Sequence, residues 1–458
     1  MKQAAAIKGA AGLWGKFVIL AVLLLLGDGL AASRASAAGQ YEGVASCAGS
    51  TCHGRNEGDG KSVRQDELRI WQEPSSKAGA HSRAFAVLAS PRGQRIASSL
   101  GLGDAAQAGA CLGCHATYAP ASQRGARFQL AEGVGCESCH GPASGWISSH
   151  YTVRATHAAN VAAGMWDLTN AKNRAAICLD CHFGSEKPGQ FVTHRMMAAG
   201  HPRISFELDL FSTLQQHYDI DADYQHRKAN TDSVQLWAVG QAEAVKRSTR
   251  LYAGGLGTEG LFPQYYFFDC HSCHRQITDN PAATRSFETN PGRPIPFGNA
   301  PYNDENIILL SAVAKVLAPG QAAHFDAASR DFHAAMGQGR SQTVTAAGKL
   351  NAAAAALSDA LSARGYSADT AFTVIDTIAG SAISPRFTDY AGSVQAVMAV
   401  DTLLNALVRE NRITVGAAAG IRANINNAYV AVGSPERYDP PQFRAALGRA
   451  ARSIGALR

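Results

Sequence analysis

All ten cysteines of this chain stand in five pairs, and a histidine directly follows the second cysteine of every pair. Two thiols and an imidazole in this order can hold one porphyrin, because the thiols form thioether bonds with its vinyl groups while the imidazole ligates the iron. We number the five groups as sites 1 to 5 along the chain: Cys47, Cys52 and His53; Cys111, Cys114 and His115; Cys136, Cys139 and His140; Cys178, Cys181 and His182; Cys270, Cys273 and His274.

Sites 2 to 5 have the two-residue spacing of the haem c attachment motif, whereas site 1 has four residues between its cysteines. Structural zinc and disulfide bonds are the alternatives, since paired cysteines also hold zinc and since disulfides suit exported chains. Neither alternative requires a histidine after each second cysteine, and histidine accounts for only 15 of the 458 residues. The sequence therefore predicts five covalently attached haem c groups.

Histidines outside the five motifs can supply the second axial ligand of each haem iron. His81 shares one face of a predicted helix with Phe85 and Leu88, and this helix is expected to begin near residues 74–76 and to end at Pro91. Such a histidine is either packed in a core or bound to iron. A chain that must complete the coordination of several irons favours the ligand.

Further candidates follow sites 3 and 4. His150 could reach back to a neighbouring iron, and His194 and His201 lie seven residues apart, on one side of a predicted helix. Met196 and Met197 are alternative ligands, because methionine also binds haem iron and raises its potential.

Ten histidines remain when the five motif histidines are set aside. His271 lies inside the attachment loop of site 5, and His324 and His333 lie in the distant C-terminal part of the chain. Seven candidates are then left for five positions, which permits bis-histidine ligation throughout without requiring it: His81, His150, His157, His194, His201, His217 and His226.

Residues 1–37 have the pattern of an export signal, with a basic start, an apolar run from Phe17 to Leu26 and small residues at Ala35 and Ala37. An uncleaved membrane anchor is the alternative, and membrane association is expected only in that case. Export agrees with haem c attachment and predicts a periplasmic protein. The formal charge of +6 falls once the signal and haem propionates are considered, so nucleic acid is not expected as a partner.

The elements that position the sites are predicted to be helical. Asp232 to Tyr252 forms a capped helix that ends at Gly254. A proline-rich linker precedes residue 301, and the cysteine-free, alanine-rich remainder forms an all-α bundle, with helices near 304–318, 341–364, 397–409, 415–431 and 440–455. The fold class is mainly α: a signal peptide at 1–37, a multihaem domain with little regular structure at 38–300 and a helical domain at 301–458. The bundle either covers site 5 or offers a docking surface.

The chain resembles the cytochrome c-554/c-prime type of multihaem cytochrome. The resemblance rests on the tract from Glu132 to Pro142, on the segment with His81, on residues 194–206 (HRMMAAGHPRISF) and on Phe268-Asp269 before site 5. It implies closely stacked haems with mostly bis-histidine ligation, and it favours His150, His194, His201 and His217 as distal ligands. Five sites, the stretched site 1 and the helical extension depart from the family pattern.

Three functions are compatible with these features. The first is a periplasmic electron carrier whose haems form a relay between respiratory redox proteins, such as quinol-linked proteins or other periplasmic cytochromes. The second is an oxidoreductase that acts on a small nitrogen or sulfur compound at one haem with an open coordination position, for which the unusual site 1 is the first candidate. The third is a haem-based sensor or assembly protein. Electron transfer is the prediction, so an enzymatic activity is not expected.

Overall fold

The computed structural model describes residues 39–56, 65–218, 220, 224, 232–258, 260–275, 279, 290, 292–296, 298–384 and 389–458. Within these ranges it contains sixteen α-helices and no β-strand, only isolated bridges, which confirms the mainly α fold class. The predicted signal segment and His226 lie outside the described residues.

The part of the chain that carries sites 1 to 4 is built from short helices and 3-10 turns. Its loops are long, and many backbone groups are paired in turns rather than in continuous helices. The helices are α1 Glu67–Gln72, α2 Pro91–Leu100, α3 Gly109–His115, α4 Glu137–His140, α5 His157–Ala162, α6 Ala171–His182, α7 His194–Ala198 and α8 Leu208–Leu214.

The predicted helix around His81 is wrong in its type and its end. His81 follows a 3-10 turn at Ala78–Ala80, and Pro91 begins helix α2 instead of ending the preceding segment. Proline is well suited to the first helical position, because its fixed φ is helical and its missing N–H would have had no partner there. The Ser90 side chain caps the same helix by accepting from the Gly93 N–H at 3.1 Å.

Helix α9 Ser233–Ala253 confirms the predicted capped helix. The carboxylate of Asp232 accepts from the Gln235 N–H at 2.9 Å, and Gly254 follows the last turn. Most of the helix is buried on all sides, and Trp237 is fully buried. A helix that is buried all round is the centre of a core rather than a surface element.

The C-terminal helices form the predicted bundle. Two of them, Pro319–Ala335 and Ala368–Ala382, were not predicted from the sequence. The helix Tyr390–Arg409 is the one described helix that is long and apolar enough to cross a membrane, but 83% of its apolar window is buried inside the protein, as in a core helix. The helices are α10 Ile307–Leu317, α11 Pro319–Ala335, α12 Arg340–Ser362, α13 Ala368–Ala382, α14 Tyr390–Arg409, α15 Val415–Ala431 and α16 Pro440–Gly455.

One hydrophobic core runs from α6 to α16 and crosses residue 301 without interruption. Helix α9 lies against α12, and the side chain of Asn351 donates to the Lys246 carbonyl at 2.8 Å. The predicted boundary at 301 therefore marks a change in composition but not a separation of cores. A second, small cluster packs around Leu88, Ala97 and Leu112 beside site 2.

Candidate metal centres

At sites 2 to 5 the attachment motif lies on a helical turn. Helices α3, α4 and α6 each end at the histidine of site 2, 3 or 4, and the motif of site 5 begins in the 3-10 turn Cys270–Ser272. Residues three apart lie on the same face of a helical turn, so the two cysteines of each of these four motifs point the same way. In the described part of the chain, which contains all ten cysteines, no disulfide bond joins any two of them. The haem prediction needs this arrangement of two thiols and a following imidazole.

The structure brings each motif histidine of four sites opposite a histidine from a distant part of the chain. The ring centres of His53 and His150 are 6.3 Å apart. The other three pairs are separated by 6.0 Å for His81 and His182, by 6.2 Å for His115 and His201, and by 6.2 Å for His194 and His274.

These separations can be compared with those of two imidazoles on opposite sides of one metal. An imidazole nitrogen lies roughly 2 Å from a bound metal, and the ring centre lies about 1.2 Å beyond the nitrogen, so two opposed rings are roughly 6.4 Å apart. Direct ring stacking would bring the centres closer together. The residues present therefore fit an iron between the two rings of each pair.

Site 3, the remaining site, has a different pattern of neighbours. Burial lowers the pKa of His140 to about 4, and the largest electrostatic contribution to this shift comes from His217. Burial also lowers the pKa of His217. His217 is close enough to contribute to the lowered pKa of His140, which makes it the candidate partner of this ring.

Among the paired histidines, the ring nitrogen that forms a hydrogen bond is Nδ1 wherever a partner is resolved, which leaves Nε2 available to bind a metal. In metal sites such a bond fixes the tautomer and the ring orientation of the ligand. The Nδ1 partners are the Glu67 carboxylate for His53 (3.0 Å) and the carbonyls of Ala84 for His115 (2.7 Å), Ile147 for His150 (2.8 Å), Pro202 for His201 (2.8 Å) and Gln215 for His217 (3.2 Å).

Histidines that the ligand prediction set aside, or did not select, have other surroundings. His157 bonds to the Asp167 carboxylate through Nε2 at 3.0 Å. His271 is buried and bonds to the Pro435 carbonyl at 2.6 Å. His333 is fully buried and bonds to the Ser329 carbonyl at 2.8 Å. Of the two methionines considered as ligands, Met197 packs against the hydrophobic core.

The zinc alternative requires several cysteine and histidine ligands around one point. Within the described ranges, no group of three or more His, Cys, Asp or Glu side chains is arranged to hold a metal ion. Burial also raises the pKa of the Cys139 and Cys178 thiols to about 12, whereas zinc binds thiolates. The site chemistry agrees with thioether formation better than with zinc binding.

Sites 1 and 3 are joined directly. The Cys47 thiol lies beside the Cys136 thiol, and this contact and burial raise the pKa of Cys47. The Glu137 carboxylate, between the two cysteines of site 3, accepts from the backbone N–H groups of Glu42 and Gly43, each at 2.8 Å. It also accepts from the Ala143 N–H at 2.7 Å. One buried side chain therefore ties the loop that leads into site 1 to site 3.

Sites 2 and 4 approach each other through small residues. The Cys181 thiol lies 3.7 Å from the Gly113 carbonyl, and Gly113 stands between the cysteines of site 2. A Cβ atom on Gly113 would lie 2.5 Å from the Gly189 carbonyl oxygen, so this contact requires glycine. Site 4 also adjoins site 3, because Cys178 and Cys181 contribute to the raised pKa of Cys139.

Site 5 lies beside the segment that carries His194 and His201. His194 faces His274 of site 5, while His201, past the end of helix α7, faces His115 of site 2. Two residues further on, the buried guanidinium of Arg203 lies 3.5 Å from the Cys270 thiol. The contacts described above thus join sites 1, 3, 4 and 2 in this order, and the segment with His194 and His201 connects site 2 to site 5.

Several residues near the sites were not identified from the sequence. Phe206 stacks on the His182 ring with centres 4.9 Å apart, and Arg203 forms an ion pair with Glu305 at 2.8 Å. Glu67 and Glu137 bind a site histidine and an attachment loop, as described above. Only Glu137 could have been noticed in the sequence, because it is an acidic residue between the two cysteines of an attachment motif.

Paired cysteines followed by histidine, with a second imidazole opposite the first, define a c-type cytochrome. The comparison with family models supports this class: residues 46–141, which contain sites 1 to 3, match the model described as cytochrome c554 and c-prime. The chain is thus a c-type cytochrome with a haem c and an electron-transfer role. No curated protein and no solved structure matched the chain.

Proposed function

We propose that this protein is a periplasmic multihaem cytochrome that transfers electrons between respiratory redox proteins through five bis-histidine haem c sites. The observation that carries the proposal is the set of opposed imidazoles, four pairs at 6.0 to 6.3 Å and His140 beside His217. Haem c supplies a reversible one-electron couple at each site. The family match and the predicted export signal support the periplasmic location.

The proposed ligand sets follow the pairs. Motif histidines would bind on one side and the distant histidines on the other: His53 with His150, His115 with His201, His140 with His217, His182 with His81, and His274 with His194. Bis-histidine ligation suits a carrier, because the ligands need not move when the oxidation state changes.

The chain itself fixes the ligands and their surroundings. Backbone carbonyls bonded to Nδ1 hold the rings of His115, His150 and His201 in one orientation. Trp146 lies edge-on to the His150 ring at 5.4 Å, which adds an apolar wall at site 1. The apolar surroundings and the carbonyl partners would set the potential of each site.

Sites 1 and 5, the first and last in the order in which the sites are connected, are the expected docking points for partner proteins. The side chains of His53 at site 1 and His274 at site 5 are 38% and 54% exposed. We therefore propose that an electron donor and an acceptor bind near these two sites. The partners are proposed to be quinol-linked proteins or other periplasmic cytochromes.

The proposal is tested by counting haems and low-spin irons. Mass spectrometry of the native protein is expected to show five added haem masses, and electron paramagnetic resonance is expected to show only low-spin ferric iron. His81→Ala and His201→Ala should each convert one of the five centres to high spin. His157→Ala is the matched control and should leave the spectrum unchanged, because the ring of His157 is bonded to Asp167.

Two results would contradict the proposal. A folded His81→Ala protein with five haems and an unaltered spectrum would remove His81 from the ligands. A high-spin signal in the unmodified protein that shifts with nitrite or hydroxylamine would instead favour the oxidoreductase, since such a signal requires an open position on one iron.

A further inference from the structure

The hydrogen-bond partner of the motif histidine differs from site to site. At site 1, Nδ1 of His53 bonds to the Glu67 carboxylate at 3.0 Å, while at site 2 the partner of His115 is the neutral Ala84 carbonyl at 2.7 Å. At site 4, the buried Nδ1 of His182 has no hydrogen-bond partner in the described part of the chain. Among these three motif histidines, only His53 of site 1 is bonded to a carboxylate.

The Glu67 carboxylate is held in place by the local fold. Glu67 is the first residue of helix α1, and its side chain is only 13% exposed. The next residue, Leu68, donates its N–H to the His53 carbonyl at 3.0 Å, so the start of the helix is bonded to the backbone of the motif. This backbone bond holds helix α1 at a fixed distance from the His53 ring, so the bond between Glu67 and His53 is supported by the fold.

The corresponding carboxylate at site 5 provides a natural comparison. Glu436 Oε1 lies 3.7 Å from His274 Nδ1, beyond ordinary hydrogen-bond length, and both side chains are more than half exposed. Water screens a pair of this kind, so it has little effect on the ring. The two sites thus differ in distance and burial, although both have a glutamate near the motif histidine.

A carboxylate bonded to Nδ1 draws the proton of the imidazole toward itself and makes the metal-bound nitrogen a stronger electron donor. Stronger donation, together with the added negative charge, stabilises ferric over ferrous iron and lowers the potential. We infer that Glu67 is a positioning residue that acts through His53 and makes site 1 the lowest-potential site of the five. This inference rests on the proposed function, because it requires a haem at site 1.

The test is a spectroelectrochemical titration of the full-length protein with its haems attached. Glu67→Gln keeps an oxygen acceptor for Nδ1 but removes the charge. At a fixed potential it should lower the ferric-to-ferrous ratio of the lowest-potential centre at least tenfold, which is about 59 mV for a one-electron couple. Glu436→Gln is the matched control and should leave that centre unchanged.

Site 1 can be recognised independently of its potential. Its two imidazole planes are within 13° of parallel, whereas the planes at sites 2 and 4 are inclined at 87° and 64°. The ring-plane angle shapes the low-spin paramagnetic resonance signal, so site 1 should give a separate signal. The same signal should disappear in His150→Ala.

The possible results separate the inference from the proposed function. If Glu67→Gln keeps five haems and the site 1 signal, but the lowest midpoint does not move, the inference is wrong while the electron carrier stands. If the unmodified protein has no haem at site 1, the proposed function fails there first. If Glu67→Gln does not fold, Glu67→Asp provides the test, because its shorter carboxylate should raise the same midpoint by a smaller amount.

Discussion

Two buried carboxylates near site 4 make the stability of the protein dependent on pH. Glu207 and Asp209 are each 1% exposed, and the Glu207 carboxylate accepts from the backbone N–H groups of Asp209 at 2.8 Å and Leu210 at 2.7 Å. Burial, and then the neighbouring Asp209, raise the pKa of Glu207 from its ordinary value of 4.5 to about 8. The folded protein should therefore hold a proton here that the unfolded chain releases.

The sign of the effect follows from proton binding. Between pH 4.5 and about 8 the folded state binds more protons than the unfolded state, so the free energy of unfolding falls as the pH rises through this window. One pH unit within the window corresponds to about 1.4 kcal/mol, and the whole window corresponds to roughly 5 kcal/mol at most. Because Glu207 and Asp209 titrate as a pair, the loss is shared between them.

Glu207→Gln is the decisive change. A glutamine is neutral at every pH, and its one side-chain oxygen can accept one of the two backbone N–H groups that the two carboxylate oxygens of Glu207 accept. The lost bond changes stability equally at every pH, so relative to the unmodified protein the variant should gain a few kcal/mol between about pH 5 and pH 8. Glu186→Gln, at an exposed position, is the control and should leave the profile unchanged.

Urea unfolding followed by far-ultraviolet circular dichroism at several pH values measures this difference. Only the difference between variant and unmodified protein is needed, which cancels the titration of groups elsewhere in the chain. A difference in unfolding free energy that stays constant between about pH 5 and 8 would refute the assignment of the raised pKa to Glu207.

Two further predictions concern structural side chains. Glu137→Ala leaves three backbone N–H groups near sites 1 and 3 without their acceptor, which should cost about 3 kcal/mol or more in thermal unfolding and lower the haem content of site 1 first. Glu137→Gln is its control and should restore part of the loss. Asp232→Ala removes the cap of helix α9 and should cost about 1 kcal/mol in chemical unfolding, with an unchanged haem spectrum.

The sequence could locate the motif halves of the sites because those signals are local. Two cysteines and a histidine within five residues, or seven at site 1, determine one half of a site without any knowledge of the fold. The other half depends on contacts between distant residues: His150 is about a hundred positions from His53, and counting histidines left seven candidates for five positions. No periodicity in the sequence indicates which distal histidine faces which motif histidine, because this pairing depends on tertiary packing.

The helices also differ in how well local sequence signals predict them. The cap of α9 and the leucine spacing of α12 predicted those elements closely, whereas α11 was not recognised. Pro319 and Gly320 come one residue after the end of α10, and this pair typically ends a helix. In the structure Pro319 occupies the first position of α11, where a proline is favourable. The same residue type thus has opposite meanings at the two ends of a helix, as at Pro91.

The attachment turn of site 5 is bonded directly to the C-terminal helical region. His271, inside the motif, bonds to the Pro435 carbonyl between α15 and α16, and its ring lies edge-on to Tyr438 at 5.1 Å. Asp269, just before the motif, accepts from the Ala391 N–H in α14 at 3.4 Å. These three contacts hold the attachment turn of site 5 against the bundle. We therefore expect that removal of the helices after residue 301 would disturb site 5 before the other four sites.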